Sequence, residues 1–367
     1  MKTLKVAFAL LLSVVLFNGC HLDHSKPCPP DASQPQNVVE IGVIAPLTGQ
    51  IATIGNSFLK GLEMGVSDAN LKGGIQLKLD VEDCFSNPQD AHMAYRKLKS
   101  QGVKYYAAFG GQFVAAFASE TKNSDEILFA SATPNSTLLQ LTNRCFRVFP
   151  TVDMMTDKIC EYIDMCSFDK IAIVYMQFEA YSMYYENIVR KLQDAGKTVV
   201  FTEAYDPSNR DFKSIINKLS DIPIDILYTA GAGESSSLLT RQLFSNPKTE
   251  NIPVIGDMNF SNPDNLQIIG PAKATICAVD NYMDADFASA FKAKYGKDAD
   301  SYALYGYMIA TIIKETIDQM DKGYTTDDVY KYIHTHTFET AGGSLSFDAE
   351  TNEPDLQLIF KETHPDE

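Results

Sequence analysis

From residue 38 onward the chain alternates between strand-like runs and stretches of helical period, with little interruption. The strand-like runs are VVEIGVIA, IQLKLDVED, KYYAAFG, EILFASAT, CFRVFP, KIAIVYM, TVVFTEAY, DILYTAG, IPVIGDM and TICAVDNY. Between most of them lie segments with helical spacing: 56–70, 88–100, 155–165, 184–193, 211–219 and 235–244. Pro88 opens its segment where a missing N–H costs nothing. Alternation of this kind predicts an α/β fold with parallel sheets covered by helices on both faces. The length is more than one core usually serves, so two domains are expected, and two sheets accommodate these strands better than one.

The seam falls at RCFRVFPTVDMMTD, where Pro150 breaks the run and KIAIVYM starts a new series. The order changes near the C-terminus. A long helical segment, DSYALYGYMIATIIKETIDQM, is followed by GGSLSFDAETNEPDLQLIFKE, which reads as a β-hairpin.

The N-terminus, MKTLKVAFALLLSVVLFNGC, has Lys2 and Lys5, then a short apolar run, then Gly19 before Cys20. This reads as an export signal over 1–19, and its apolar run is too short for a lasting membrane span. A Cys placed directly after the small residue resembles a bacterial lipoprotein signal, which implies acylation of Cys20. An ordinary secretory signal is the alternative. Residues 20–37 are rich in Pro, Ser and Gln without apolar period, the composition of a flexible tether. The product is expected outside the cytoplasm, on the periplasmic or cell-surface face, held to the membrane by lipid. A formal charge of −16 with no long run of either sign argues against nucleic acid as a partner.

Cys28, Cys84, Cys145, Cys160, Cys166 and Cys277 are scattered, with no C-x-x-C pair and no zinc spacing, so most are read as buried free thiols. His334 with His336, and His21 with His24, lack further ligands at a defined spacing and read as solvated surface. The stretch VIAPLTGQIATIGNSFLKG reaches its helix only after Gly55, so the loop is longer than the usual two to six or so residues. It lies at the carboxyl end of a strand, where open α/β sheets bind ligands. It carries neither a phosphate loop nor a dinucleotide fingerprint, and no cofactor is expected. With no Ser in a nucleophile elbow and no Cys–His pairing, an enzyme is not expected either.

Taken in order, IGVIAPLTGQIATIGNSFLKGLEMGVSDAN, KLDVEDCFSNPQDAHMAYRKL, EILFASATPNSTL, CFRVFPT, SYALYGYMIA and GGSLSFDAETNEP carry a likeness. The chain resembles the type I periplasmic binding proteins of the branched-chain amino-acid group, which serve ABC importers. The resemblance implies two Rossmann-like lobes with parallel central sheets, joined by a three-strand hinge. Lobe one would be 38–149 plus 279–335, and lobe two 150–278 plus 336–362. It further implies a monomer that closes on a small amino acid or related zwitterion and docks on permease subunits. A ligand-sensing regulatory subunit on the same fold is the competing role. Urea, short amides and aromatic carboxylates are competing ligands.

Four loops, APLTGQ, GGQ, SATPNS and GAGESS, lead from strands toward helix N-termini, where free N–H groups favour a carboxylate. By resemblance the ligand's carboxylate falls to Gln112, Thr133 and Asn135. Gln112 departs from the Ser common in the family, and Asn135 reads equally as a turn residue. Asp257 in IPVIGDM matches the acid that meets an ammonium, with a cap of the NFSNPD turn as the alternative. Glu234 is a second acid nearby, read as favouring its own helix N-terminus. Tyr181 matches a family Tyr that packs over the ligand. Family aromatics are replaced by Ile54 and Ala232, for which Phe113 and Phe260 could compensate unless they are core. Cys84 matches a family half-cystine whose partner position is here Gly111.

Overall fold

The computed structural model describes residues 38–49 and 51–365. The signal over 1–19, the acylation call on Cys20, the tether 20–37 and Cys28 lie outside the described residues. Strand β1 (Val38–Ala45) runs in step with β2 (Gln76–Asp83), pairing Val38 with Gln76 through to Ala45 with Asp83. With β3 (Tyr105–Phe109), β4 (Ile127–Ser131) and β5 (Cys145–Arg147) they form a parallel sheet in the order β2-β1-β3-β4-β5. Every residue of β3 and β4 is buried, as the continuous apolar runs require when helices cover both faces.

Helices α1 (Ala52–Leu71), α2 (Pro88–Ser100), α3 (Gly111–Ala118) and α4 (Leu138–Leu141) connect these strands. Helix α1 starts at Ala52, before Gly55 rather than after it. Gly55 is there for close approach: a Cβ would stand 2.2 Å from the Pro46 carbonyl oxygen. The loop shrinks accordingly to residues 46–51, an ordinary βα turn. Asp83 braces it, accepting from Leu47 N at 2.9 Å and Thr48 Oγ1 at 2.7 Å.

After Pro150 the chain passes through α5 (Val152–Met165) into a second sheet. Its parallel strands are β6 (Lys170–Met176), β7 (Thr198–Tyr205), β8 (Ile226–Ala230), β9 (Val254–Gly256) and β10 (Ile276–Asn281). Between them run α6 (Glu179–Asp194), α7 (Lys213–Leu219), α8 (Gly233–Phe244) and α9 (Pro263–Ile269). Pairing of β10 continues to Asn281, so the chain leaves this sheet after 281. It then forms α10 (Ala285–Tyr295), α11 (Ser301–Asp318) and α12 (Thr326–Thr335). Helix α11 lies against α1 with almost no gap: a Cβ on Gly61 would sit 1.7 Å from the Ala303 carbonyl oxygen.

The C-terminal segment divides. Strands β11 (Phe338–Thr340), β12 (Gly343–Phe347) and β13 (Pro354–Asp355) make a small antiparallel sheet. Its Phe347 packs edge-on to Phe146 of β5, with ring centroids 5.1 Å apart. Only β14 (Leu358–Thr363) joins the second sheet, antiparallel to β10, giving the order β14-β10-β9-β8-β6-β7. The result is a two-lobed α/β fold with parallel central sheets and three crossings between them. Cys84, Cys145 and Cys277 are buried free thiols, Cys160 is half-buried and Cys166 exposed.

Candidate functional site

The N-terminus of α11 touches the carboxyl ends of strands in both sheets. Tyr302, in its first turn, stacks edge-on to Phe109 at the end of β3, with centroids 5.7 Å apart. Its hydroxyl reaches to 3.5 Å from Asn259 Oδ1, in the loop after β9. One residue thus touches the end of each sheet.

Asp257 follows β9 and caps a single 3-10 turn, Met258–Phe260. Its Oδ1 accepts from Asn259 N at 2.9 Å and from Asn259 Nδ2 at 2.7 Å. The residue is 7 % exposed. Burial pushes its carboxyl up to about 6, against the two Asn259 bonds and helped by the charge of Asp280. Among the described residues it has no cationic partner, unlike Asp280, which pairs with Lys361 at 2.7 Å.

Tyrosines surround it. Burial first, and the charge of Asp257 in addition, push the hydroxyl pKa values of Tyr181, Tyr184, Tyr205, Tyr228 and Tyr302 upward. Tyr181 is half-buried and lies inside α6, which starts at Glu179 rather than near 184. Its ring sits 6.3 Å from that of Tyr184.

On the opposite sheet, Thr133 is fully buried after β4, where Ala132 takes a left-handed turn (φ 51°). Its carbonyl accepts from Arg147 Nη1 at 2.8 Å, while its Oγ1 has no hydrogen-bond partner among the described residues. Ser131 Oγ is likewise buried without one. Gly111 N donates to the Ala132 carbonyl at 3.2 Å, which brings the start of α3 alongside this turn. Arg147 is itself fully buried and pairs with Glu353, in the loop between β12 and β13.

The structure therefore brings Asp257 and Tyr181 into one neighbourhood and sets Thr133, its hydroxyl unpartnered among the described residues, in the turn after β4 of the other sheet. It places other expected residues elsewhere. The Gln112 side chain is exposed on the first turn of α3, although its N–H, at the second helical position, has no intrahelical acceptor. Phe113 lies in the apolar cluster with Ile44, Ala108, Val114 and Phe117, and Phe260 in another behind the second sheet. Asn135 Oδ1 is taken by Thr137 N at 2.9 Å and Thr137 Oγ1 at 2.8 Å, the turn alternative. Glu234 is exposed and pairs with Arg210 at 3.1 Å. His334 Nδ1 contacts the Tyr330 carbonyl at 3.0 Å and His336 pairs with Glu315 at 2.8 Å.

Sequence reasoning missed Tyr302, Asn259 and Arg147. Tyr302 sits in an apolar helical period and reads as core. Asn259 reads as a turn residue, and Arg147 as one charge in a strand. Chemically, the arrangement offers hydroxyl and backbone donors on one side, an acid without a counter-charge on the other, and aromatic walls. It suits a small molecule that is polar at both ends.

Comparison with known proteins gives the family and the fold. The periplasmic binding protein family matches residues 38–362. A Leu/Ile/Val-binding protein homolog of Brucella melitensis is 27% identical, over 84% of this chain and 87% of that protein. The branched-chain amino acid transporter substrate-binding protein of Streptococcus pneumoniae, solved with isoleucine, superposes with a TM-score of 0.78 at 17% identity, covering 90% of this chain and 97% of its own. A solute-binding protein of an ABC transporter from Rhodopseudomonas palustris, solved with 3,4-dihydroxybenzoic acid, also gives 0.78 at 17% identity, covering 89% and 93%. The match is to binding proteins rather than catalysts, and the chain belongs to the periplasmic binding protein family.

Proposed function

We propose that this protein is the extracytoplasmic binding subunit of an ABC importer, closing its lobes over an α-amino acid or similar zwitterion. The observation that carries the ligand class is Asp257: a buried acid with one oxygen held by Asn259 and, among the described residues, no cation paired with it. A ligand ammonium supplies the missing charge through a charge-assisted hydrogen bond. The ligand's carboxylate is then assigned to Thr133 Oγ1 and the Gln112 N–H, with Tyr181 and Tyr302 as walls. The contribution of position 112 comes from its backbone in this reading. Because the ligand touches both sheets, it binds the closed form better and shifts the equilibrium towards it. Delivery would be to permease subunits, by a monomer tethered through acylated Cys20.

The experiment is a thermal-shift screen of amino acids and small carboxylates, followed by calorimetry of the hits. Stabilisation by one or more α-amino acids supports the reading. A response confined to ligands without an ammonium overturns it.

One observation favours a second ligand class. A carboxyl pushed up to about 6 among tyrosines takes up a proton readily, and could then donate to an aromatic carboxylate. The Rhodopseudomonas palustris structure holds a ligand of that kind.

A further inference from the structure

Residues 257–262, DMNFSN, carry the acid of the site at one end and a tie to the facing lobe at the other. The segment is short and fixed along its length. Phe260 N donates to the Asp257 carbonyl at 2.9 Å, and Asn265 Nδ2 holds the Asn259 carbonyl at 2.8 Å. Past the turn, the Ser261 hydroxyl donates to Asp280 Oδ2 at 2.5 Å, within the second lobe. Asn262 Nδ2 instead reaches across to Asp300 Oδ2 at 3.3 Å. Asp300 is anchored on the other side: it caps α11 through Ala303 N at 2.9 Å and accepts the Ser57 hydroxyl of α1 at 2.6 Å.

We propose that Asn262 and Asp300 form a closure latch between the lobes. The inference rests on the ligand-binding reading of the cleft, since a ligand that seats Asp257 also seats Asn262, six residues of one rigid piece. Both are positioning residues, and neither touches the ligand. A bond that spans the lobes exists only when they are together, so its energy is added to the closed form and appears in ligand affinity.

The test uses two substitutions that keep the α9 cap, in which Asn262 Oδ1 accepts from Asp264 N at 3.0 Å. Asn262→Ser still caps a helix but is too short to reach Asp300. Asn262→Asp sets a second carboxylate against it. A dye pair with one label on each lobe reads lobe separation without ligand. Calorimetry reads Kd for L-isoleucine and for 3,4-dihydroxybenzoate. Asn262→Ser is expected to raise Kd roughly tenfold for whichever probe binds, and Asp300→Asn on that background to add little. A merely structural role would lower the stability of the ligand-free protein and leave its lobe separation unaltered. Asn262→Asp is expected to lengthen the ligand-free separation. An unaltered separation in Asn262→Asp, or an unaltered Kd in Asn262→Ser, overturns the latch. If neither probe binds the unsubstituted protein, the ligand reading fails by itself, and the ligand-free separation alone decides the latch.

Discussion

Asn259 gives both its backbone and its side-chain N–H to one oxygen of Asp257, at 2.9 and 2.7 Å. The carboxylate is thereby oriented, and its second oxygen is the one available to a partner. Asp257→Asn keeps the size and one acceptor while removing the charge. For an amino-acid ligand it is expected to cost about 2 kcal/mol, or roughly thirtyfold in Kd. Calorimetry at pH 8 checks this, and an unchanged Kd removes Asp257 from the site.

The pH dependence has a definite sign. Burial holds the Asp257 carboxyl at about 6 in the folded protein, above its ordinary value of 3.8. A raised acid contributes stability that is fully present below the unfolded value and is lost as pH rises through the folded one. The ligand-free protein should therefore weaken between about pH 4 and 6 through this group, and Asp257→Asn should remove that slope. An ammonium ligand needs the charged form, so its Kd should rise up to about tenfold per unit below pH 6. An aromatic carboxylate should show the opposite trend. Calorimetry from pH 5 to pH 8 separates the two ligand classes.

Arg147 and Glu353 should matter far more than their counterparts on the surface. The Arg147 side chain is wholly buried and Glu353 is 21% exposed, whereas Lys248 and Asp221 are 67% and 74% exposed. Glu353→Ala leaves a buried guanidinium without its counter-charge and is expected to cost about 3 kcal/mol. Asp221→Ala should cost less than about 1 kcal/mol. Denaturant unfolding of both variants checks the contrast. Because Arg147 also holds the Thr133 carbonyl, Glu353→Ala should weaken ligand binding as well.

The strands were legible because runs rich in apolar and β-branched residues, bounded by turn residues, mark them, and VVEIGVIA forms β1 with both ends as read. What the sequence hides is which neighbour a small or turning residue will meet. Gly55 looks like loop, yet it lets the Pro46 carbonyl approach a helix already begun. Gln112 and Phe113 are consecutive on α3 and point about 100° apart, so the helix that buries Phe113 turns Gln112 outward. Tyr302 reaches Asn259 only because α11 crosses to the other sheet, a contact between residues far apart in sequence that no local pattern records. Asp257 was accessible by likeness alone, and its lack of a cation became visible only once its surroundings were built.

The packing of α1 on α11 gives the last prediction. A methyl group on Gly61 would fall 1.7 Å from the Ala303 carbonyl oxygen and 2.5 Å from its carbon. These are backbone atoms inside a helix, so no side-chain rotation relieves the overlap and the helices must move apart. The Ser57–Asp300 bond, 2.6 Å long across the same contact, would be broken by that movement. Gly61→Ala is therefore expected to cost about 3 kcal/mol or more, net of the roughly 1 kcal/mol that Ala's helix propensity returns. Gly73→Ala is the control. Gly73 has φ +80° and nothing within 4 Å of an added Cβ, so only backbone strain of about 1 kcal/mol is expected. Denaturant unfolding of the two variants should rank them in that order, and a Gly61→Ala loss no larger than that of Gly73→Ala would mean that α1 and α11 are not in close backbone contact.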